Sequence, residues 1–203
     1  MKLVIFDFDG VLVNTNELSY QIHKIKNKDL TWKSYQEYSN GNFHEGYEKA
    51  VKEGKHLPAD DFYGEYEKGL NALTMHDALH NLILSLVKNY RLVVVSSTNS
   101  SYIKDFLAKE NLSEYFTDIL GADVHRSKVF KIKTILKKYK LSPEESVFIT
   151  DTLGDIKEAK ECNVESIGVS WGLHEKKNLL KENPFVVVDI PEELEEKIEE
   201  FFK

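Results

Sequence analysis

The sequence predicts an α/β fold: a doubly wound parallel sheet, interrupted just after its first strand by a small all-helical insertion. Three observations carry this. Short unbroken apolar runs recur at Leu3 to Phe6, Leu92 to Val95, Val147 to Ile149 and Phe185 to Val188, as expected of strands buried on both faces of a parallel sheet. Between them apolar residues recur at helical spacing, so strand and helix alternate. From Thr15 to Thr74 that alternation stops and only helical spacing remains.

The first strand, Leu3 to Phe6, runs straight into Asp7, Asp9 and Gly10. Residues two apart on an extended chain point the same way, so Asp7 and Asp9 face one crevice while Phe8 anchors the other side. Two carboxylates so close raise each other's pKa unless a cation compensates, which asks for a metal, a shared proton or both. Ligands of parallel α/β sheets gather beyond the carboxyl ends of the strands, where this pair would sit. Asp-x-Asp-Gly is also ordinary turn chemistry, so the rest of the chain must decide.

The insertion carries three apolar stripes: Leu18, Ile22 and Ile25; Phe43, Tyr47 and Val51; Phe62, Tyr66 and Leu70. Gly41, Gly54 and the Leu57-Pro58 step punctuate them, predicting three or four helices. The division is then a core of residues 1–14 and 75–203 with an insert of residues 15–74.

After His76, the stripe Ala78, Leu79, Leu82, Ile83, Leu86 and Val87 predicts a helix, followed by a strand at Arg91 to Val95. Ser100 or Ser101 would cap a helix from Tyr102 to Glu110. A helix from Lys128 to Tyr139 turns its Ile132, Ile135 and Leu136 inward. Ser142 to Glu145 reads as a turn, Val147 to Thr150 as a strand, Asp155 to Cys162 as a helix, and Ser166 to Val169 and Phe185 to Val188 as the last strands. Pro191 opens a charged terminal helix, since proline is favoured at the first helical position.

Bulk properties narrow the function classes. A chain of 203 residues, 41% hydrophobic and 30% charged, is an ordinary globular protein with room for one core and an insertion. The formal net charge of -7 argues against nucleic acid as a partner, which needs clustered Lys and Arg. It leaves phosphorylated substrates open, because a metal and one lysine can reverse the field inside a cleft. The single cysteine, Cys162, excludes an internal disulfide framework and a cysteine-rich zinc site. No secretory pattern precedes the first strand and no apolar run approaches membrane-spanning length, so no membrane partner is expected and the expected location is the cytoplasm.

Polar residues stand where several predicted strands end. Beside Asp7 and Asp9 these are Ser96, Ser97, Thr98 and Asn99 after Val95, where hydroxyls and backbone amides can hold phosphate oxygens or simply cap a helix. Lys128 opens its helix; a surface lysine is the bland alternative. Asp151 ends the Val147 to Thr150 strand, with Gly154 and Asp155 following. Asp155 could be a helix cap, but a charge buried at a strand end, as Asp151 would be, is costly without a partner.

With these residues in order, the chain resembles the haloacid dehalogenase-like hydrolase superfamily over nearly its whole length. Asp7-Phe8-Asp9-Gly10-Val11-Leu12 is similar to motif I, Ser96 to motif II, Lys128 to motif III, and Thr150-Asp151 with Asp155 to motif IV. Ile167 to Gly172 with His174 resembles the phosphoglycolate-phosphatase-like branch, whose helical cap corresponds to the insertion. Asn14 stands where that branch often has Asp, and Cys162-Asn163 replaces Ala-Gly. The usual Pro-Asp-Pro after the motif III lysine is missing, which leaves Lys131 as the alternative to Lys128; a loop one turn shorter would make Thr98 the alternative to Ser96.

The resemblance implies a phosphatase acting on a small phosphorylated metabolite through an aspartyl phosphate. Asp7 would be the nucleophile and Asp9 the general acid and base; Ser96 and Lys128 would complete the catalytic set. Magnesium would be the cofactor, held by Asp7, the backbone carbonyl of Asp9, and Asp151, with Asp155 in or near its shell. Gly10, Ser96, Ser97 and Lys128 would bind the phosphate. His23, Lys24, Trp32, His44 and Lys49 are cap candidates for substrate contact. A phosphomutase would use the same residues. A receiver-like phosphoswitch would share the acids, hydroxyl and lysine but not the long insertion. A dehalogenase would have no use for Asp9.

Overall fold

The computed structural model describes residues 1–58 and 61–203. Six parallel strands form one sheet: β1 (Leu3–Phe6), β2 (Arg91–Val95), β3 (Phe116–Leu120), β4 (Ser146–Thr150), β5 (Glu165–Val169) and β6 (Val186–Val188), in the order β3-β2-β1-β4-β5-β6. β1 is central, its Ile5 in register with Val93 on one side and Phe148 on the other. The order reverses beside β1, so the carboxyl ends of β1 and β4 open a crevice.

Alternation along the strands fills two apolar layers. Val4, Phe6 and Val94 pack with residues of α5 (Asp77–Leu86), α6 (Ser100–Lys109) and α10 (Leu194–Phe201) on one face. Leu3, Ile5, Val93 and Phe148 pack on the other with α7 (Lys128–Tyr139) and α8 (Leu153–Lys160). Each such side chain contributes roughly 1.5–3 kcal/mol by burial, which holds the strand ends firmly enough to carry desolvated carboxylates.

Some expectations need correction. β3 was not foreseen, because Thr117 is exposed and Asp118 half-buried on this edge strand, which breaks the apolar run. The helix expected at Tyr102 begins at Ser100, and Asn99 is its N-cap, without a side-chain cap bond. Ser100 is instead a brace: its Oγ accepts from Gly121 N at 2.9 Å. α8 begins at Leu153, capped by Thr152, whose side chain accepts from Asp155 N; Asp155 is therefore inside the helix and not its cap. Pro191 opens a 3-10 turn that leads into α10, and a short α9 (Lys176–Leu179) was not expected. Asn163 takes a left-handed φ of 56° after α8, as Asn can where glycine is usual.

The insertion folds as α1 (Asn16–Lys26), α2 (Trp32–Glu37), α3 (Phe43–Lys52) and α4 (Phe62–Ala72), with a 3-10 turn at Tyr38–Asn40. Ile22, Tyr66 and Leu70 join the apolar cluster of the sheet. Ile25, expected on the same stripe, is 67% exposed. The outer part is aromatic: Tyr20, Tyr35 and Tyr38 are buried together with Trp32, Phe43 and Tyr47 against them. His56 bridges this layer, one ring nitrogen on Tyr38 Oη at 3.0 Å and the other on His23 Nδ1 at 3.2 Å.

The cap rests directly on the sheet's carboxyl edge. A Cβ at Gly154 would meet the Gly41 carbonyl oxygen at 2.0 Å, so only glycine lets the cap backbone sit there. Asn42 donates to both Glu158 carboxylate oxygens at 3.1 and 3.2 Å. His174 Nε2 meets the Gln36 carbonyl at 3.0 Å, while its Nδ1 accepts from Leu153 N at 2.9 Å.

Candidate active site

Between sheet and cap lies a cavity of about 430 Å³ whose walls include Asp7, Asp9, Lys128, Asp151 and Asp155. Asp7 stands at the end of β1, with Phe8 turned away, fully buried and edge-on to Phe106 at 5.4 Å. The chain then loops tightly, Gly10 N donating to Val13 O at 2.8 Å and Leu12 N to Phe8 O at 3.0 Å. Gly10 has a φ of +73°, and a Cβ on it would meet Asp151 Oδ2 at 1.9 Å. Glycine is required there both for its conformation and for the close approach.

Lys128, at the first turn of α7, is 3% exposed and reaches two carboxylates: Asp7 Oδ2 at 2.9 Å and Asp155 Oδ2 at 2.6 Å. Asp155 also accepts from Thr150 Oγ1 at 2.7 Å. Asp7 Oδ1 accepts from Phe8 N at 2.7 Å. Asp151 is fully buried; its Oδ2 accepts from Leu173 N at 2.7 Å and Asn16 Nδ2 at 3.0 Å, while Oδ1 has no partner.

The electrostatics follow from this crowding. Burial pushes the Asp7 carboxyl well above the usual range; Lys128 pulls it back, and Asp155 and Asp151 add to the rise. Burial raises Asp151 to about 7, against the bonds from Leu173 and Asn16. For Asp155 burial is outweighed by Lys128 and the hydrogen bonds, which hold it below an ordinary carboxyl. Lys128 is driven down by burial but up further by Asp155 and Asp7. Of these three buried carboxylates two share one ammonium, and the third, Asp151, has an orphaned oxygen and no paired cation. A buried surplus of negative charge of this kind is costly without a further cation. Among the described residues no group of three or more His, Cys, Asp or Glu side chains is arranged as a ready metal site.

Asp9 is surrounded by hydroxyls. Oδ1 accepts from Thr15 Oγ1 at 2.6 Å and Tyr66 Oη at 2.5 Å; Oδ2 accepts from Thr98 Oγ1 at 2.8 Å and Ser96 Oγ at 3.3 Å. Burial and the Asp9 charge raise Tyr66 well above an ordinary phenol, so it stays protonated and donates.

The residues expected from the sequence are placed as follows. Asp7, Asp9, Ser97, Lys128, Asp151 and Asp155 line the cavity together, with Thr98. Ser96 is fully buried behind them, its Oγ accepting from Thr98 N at 2.9 Å. Gly10 lies beneath Asp151. Lys131 is fully buried, donating to the Ser96 carbonyl at 2.5 Å, and burial followed by the Lys128 charge pushes it down to about 8. Of the cap candidates, His23 and His44 line the cavity; Lys24 lies over the Tyr20 ring, and Lys49 is exposed. Trp32 packs in the outer aromatic layer.

Sequence reasoning passed over Asn16, Tyr66 and Glu158. Glu158 Oε1 accepts from Lys128 N at 2.9 Å, fixing the start of α7. Its spacing of three from Asp155 puts both on one helix face, a signal that was there to be read. Asn16 and Tyr66 carried no local signal.

A family model described as haloacid dehalogenase-like hydrolase matches residues 4–169. A phosphoglycolate phosphatase of Vibrio vulnificus is 26% identical over 135 residues, covering 64% of this chain and 58% of that protein. Another from Aquifex aeolicus is 25% identical over 191 residues, covering 85% and 86%. The chain thus spans only about 58% of the Vibrio relative's length. In fold, the chain is similar to a hydrolase of Pseudomonas syringae, with a TM-score of 0.82 at 16% identity over 98% of this chain and 99% of that one. It is also similar to a haloacid dehalogenase-like hydrolase of Streptococcus pneumoniae, with a TM-score of 0.78 at 20% identity over 98% of each chain.

Proposed function

The chain belongs to the haloacid dehalogenase-like hydrolases, in the phosphoglycolate-phosphatase-like branch with a helical cap, and on that premise we propose that it hydrolyses a small phosphate monoester through an aspartyl phosphate, with magnesium as cofactor. The observation that carries the reading is the division of labour between two neighbouring carboxylates: Asp7 is charge-paired to Lys128, Asp9 is caged by hydroxyls.

Asp7 attacks phosphorus as the bond to the leaving oxygen breaks, and Asp9 gives that oxygen its proton. Asp9 then takes a proton from water as the water oxygen attacks the phosphoryl group, and the Asp7 carboxylate is released with inorganic phosphate. Lys128 holds the Asp7 oxygen and takes up charge on the phosphoryl oxygens; Ser97 and Thr98 line the same cavity, and Ser96 fastens Thr98 behind them.

The donor set fits magnesium. Asp7, the Asp9 carbonyl and Asp151 would hold it, with Asp155 nearby, and the orphaned Asp151 Oδ1 supports that assignment. When bound, the ion supplies positive charge that lets an anionic nucleophile meet an anionic phosphate. The chain's own contribution is to keep Asp7 and Asp151 oriented, and residues 15–74 act as the cap that excludes water and selects the leaving group.

The test is phosphate release from a panel of phosphate monoesters with magnesium, alongside an Asp9→Asn variant given an aryl phosphate. That variant should accumulate a phosphoryl mass increment on the peptide of residues 3–14, at Asp7. An increment on Asp151, or stoichiometric uptake without turnover, would sink the reading.

A further inference from the structure

We propose that the leaving group is a flat, uncharged aromatic or heteroaromatic ring, seated among the aromatic side chains that the cap adds to the cavity. This rests on the phosphatase reading only for the word leaving group; the ring preference rests on the cavity itself.

The cap wall is built of aromatic rings, several of them already stacked on one another. Phe43 lies parallel to Tyr47, with centroids 6.3 Å apart at 11°. Phe62 stacks on His23 at 4.9 Å and 25°, and on Tyr66 at 5.7 Å and 20°. Tyr63 faces Tyr102 of the core at 6.3 Å and 25°. All these rings line the one cavity that also holds Asp7 and Lys128. Its volume of about 430 Å³ is within the roughly 300–1,000 Å³ usual for small-molecule sites, so ring and phosphate fit together. Offset stacking and edge contacts with such faces favour a planar guest over a puckered one of equal size.

The wall is also poor in positive charge. Lys128 is the one Lys or Arg among the described lining residues, and two carboxylates already hold it. The lining imidazoles are neutral, since burial pushes His23 and His44 each down to about 4. Asp61 adds an acid. A leaving group with its own carboxylate, as glycolate has, would enter without a counter-charge, which is costly in a desolvated site.

The experiment separates the cavity from the chemistry. Calorimetric binding with magnesium present is measured for benzylphosphonate, cyclohexylmethylphosphonate and phosphonoacetate, none of which can be hydrolysed. Benzylphosphonate should bind at least tenfold tighter than either of the others. Phe43→Leu keeps apolar volume but removes a flat face, and should erase most of that lead. Should that variant fail to fold, Tyr63→Leu, at a half-exposed position, serves the same purpose. Equal or tighter binding of phosphonoacetate, equal binding of the cyclohexyl compound, or no binding of any overturns the ring assignment. In parallel, turnover of benzyl phosphate is compared with that of 2-phosphoglycolate. A higher kcat/KM on 2-phosphoglycolate overturns the ring assignment and leaves the phosphatase reading standing. Selective binding of benzylphosphonate with neither ester hydrolysed does the reverse.

Discussion

The floor and the roof of the cavity are made of different matter. The floor is charged side chains at strand ends and in the first turns of α7 and α8, locked by bonds of 2.6 to 2.9 Å between Asp7, Lys128 and Asp155. The roof is rings at van der Waals separation, with two imidazoles held neutral by burial. Aliphatic layers packed on both faces of a parallel sheet fix backbone position firmly, as charge chemistry requires. Rings on four short helices fix a shape, and shape can be changed without touching the chemistry beneath. Floor substitutions should therefore act on kcat, roof substitutions on KM and selectivity.

The largest effect should come from Asp7→Asn, which leaves the fold intact and lowers kcat by about 10⁴-fold or more, since an amide cannot serve as nucleophile. Phosphate release on any turned-over ester measures it. A loss as large from a single roof ring would break the division between floor and roof.

Removing magnesium with a chelator should abolish turnover and restoring the ion should recover it. A second readout follows from Asp151, which burial raises from 3.8 to about 7. Between those values the folded chain keeps a proton that the unfolded chain has lost, so stability of the metal-free protein falls as pH rises through that window. The ion needs the deprotonated carboxylate, so its stabilisation should be larger at about pH 7.5 than at about pH 5. Melting curves across pH, with and without magnesium, test both; Asp151→Asn should flatten the dependence.

Lys131→Met tests whether this lysine belongs to the floor or to what supports it. The ammonium satisfies the buried Ser96 carbonyl and touches no carboxylate oxygen in the ion pairs. The substitution should destabilise by roughly 1–3 kcal/mol, the cost of an unsatisfied buried acceptor, and lower kcat far less than Lys128→Met does. Equal kinetic losses would put Lys131 in the chemistry.

On kcat the smallest effect is expected from Gly154→Ala. Its Cβ would press on the Gly41 carbonyl, so the cap sits imperfectly and KM rises about three- to tenfold with kcat little changed. An unchanged KM would mean that the observed seating of the cap does not shape the site.

How much of this was legible in the chain depends on where each signal resides. Strands β1, β2 and β4 around Asp7 and Asp151 could be read because burial on both faces demands unbroken apolar runs, and the two carboxylates stand where β1 and β4 stop. β3 escaped because an edge strand may carry Thr117 and Asp118, and Asp118 is accounted for only by Lys138 and Tyr139 of α7. The helical type of the cap, with α1, α3 and α4, was legible from spacing, but not α2 or the direction of each face: Ile25 is exposed, while Tyr66, read as another apolar position, turns its hydroxyl onto Asp9.

By itself, then, the sequence determined the sheet apart from β3, the helical insertion, and the order in which acids, hydroxyls and lysine follow the strands. These depend on periodicity and on the cost of burying charge, both of which act over a few residues. Only the tertiary structure decided which lysine meets Asp7, which hydroxyls surround Asp9, and that His23 and His44 line the cavity while Lys24 and Lys49 do not. Those contacts join residues far apart in the chain, such as Asn16 with Asp151, 135 positions on, and Asn42 with Glu158, 116 positions on. Local spacing carries no information about such pairs, because the packing of cap on sheet brings them together.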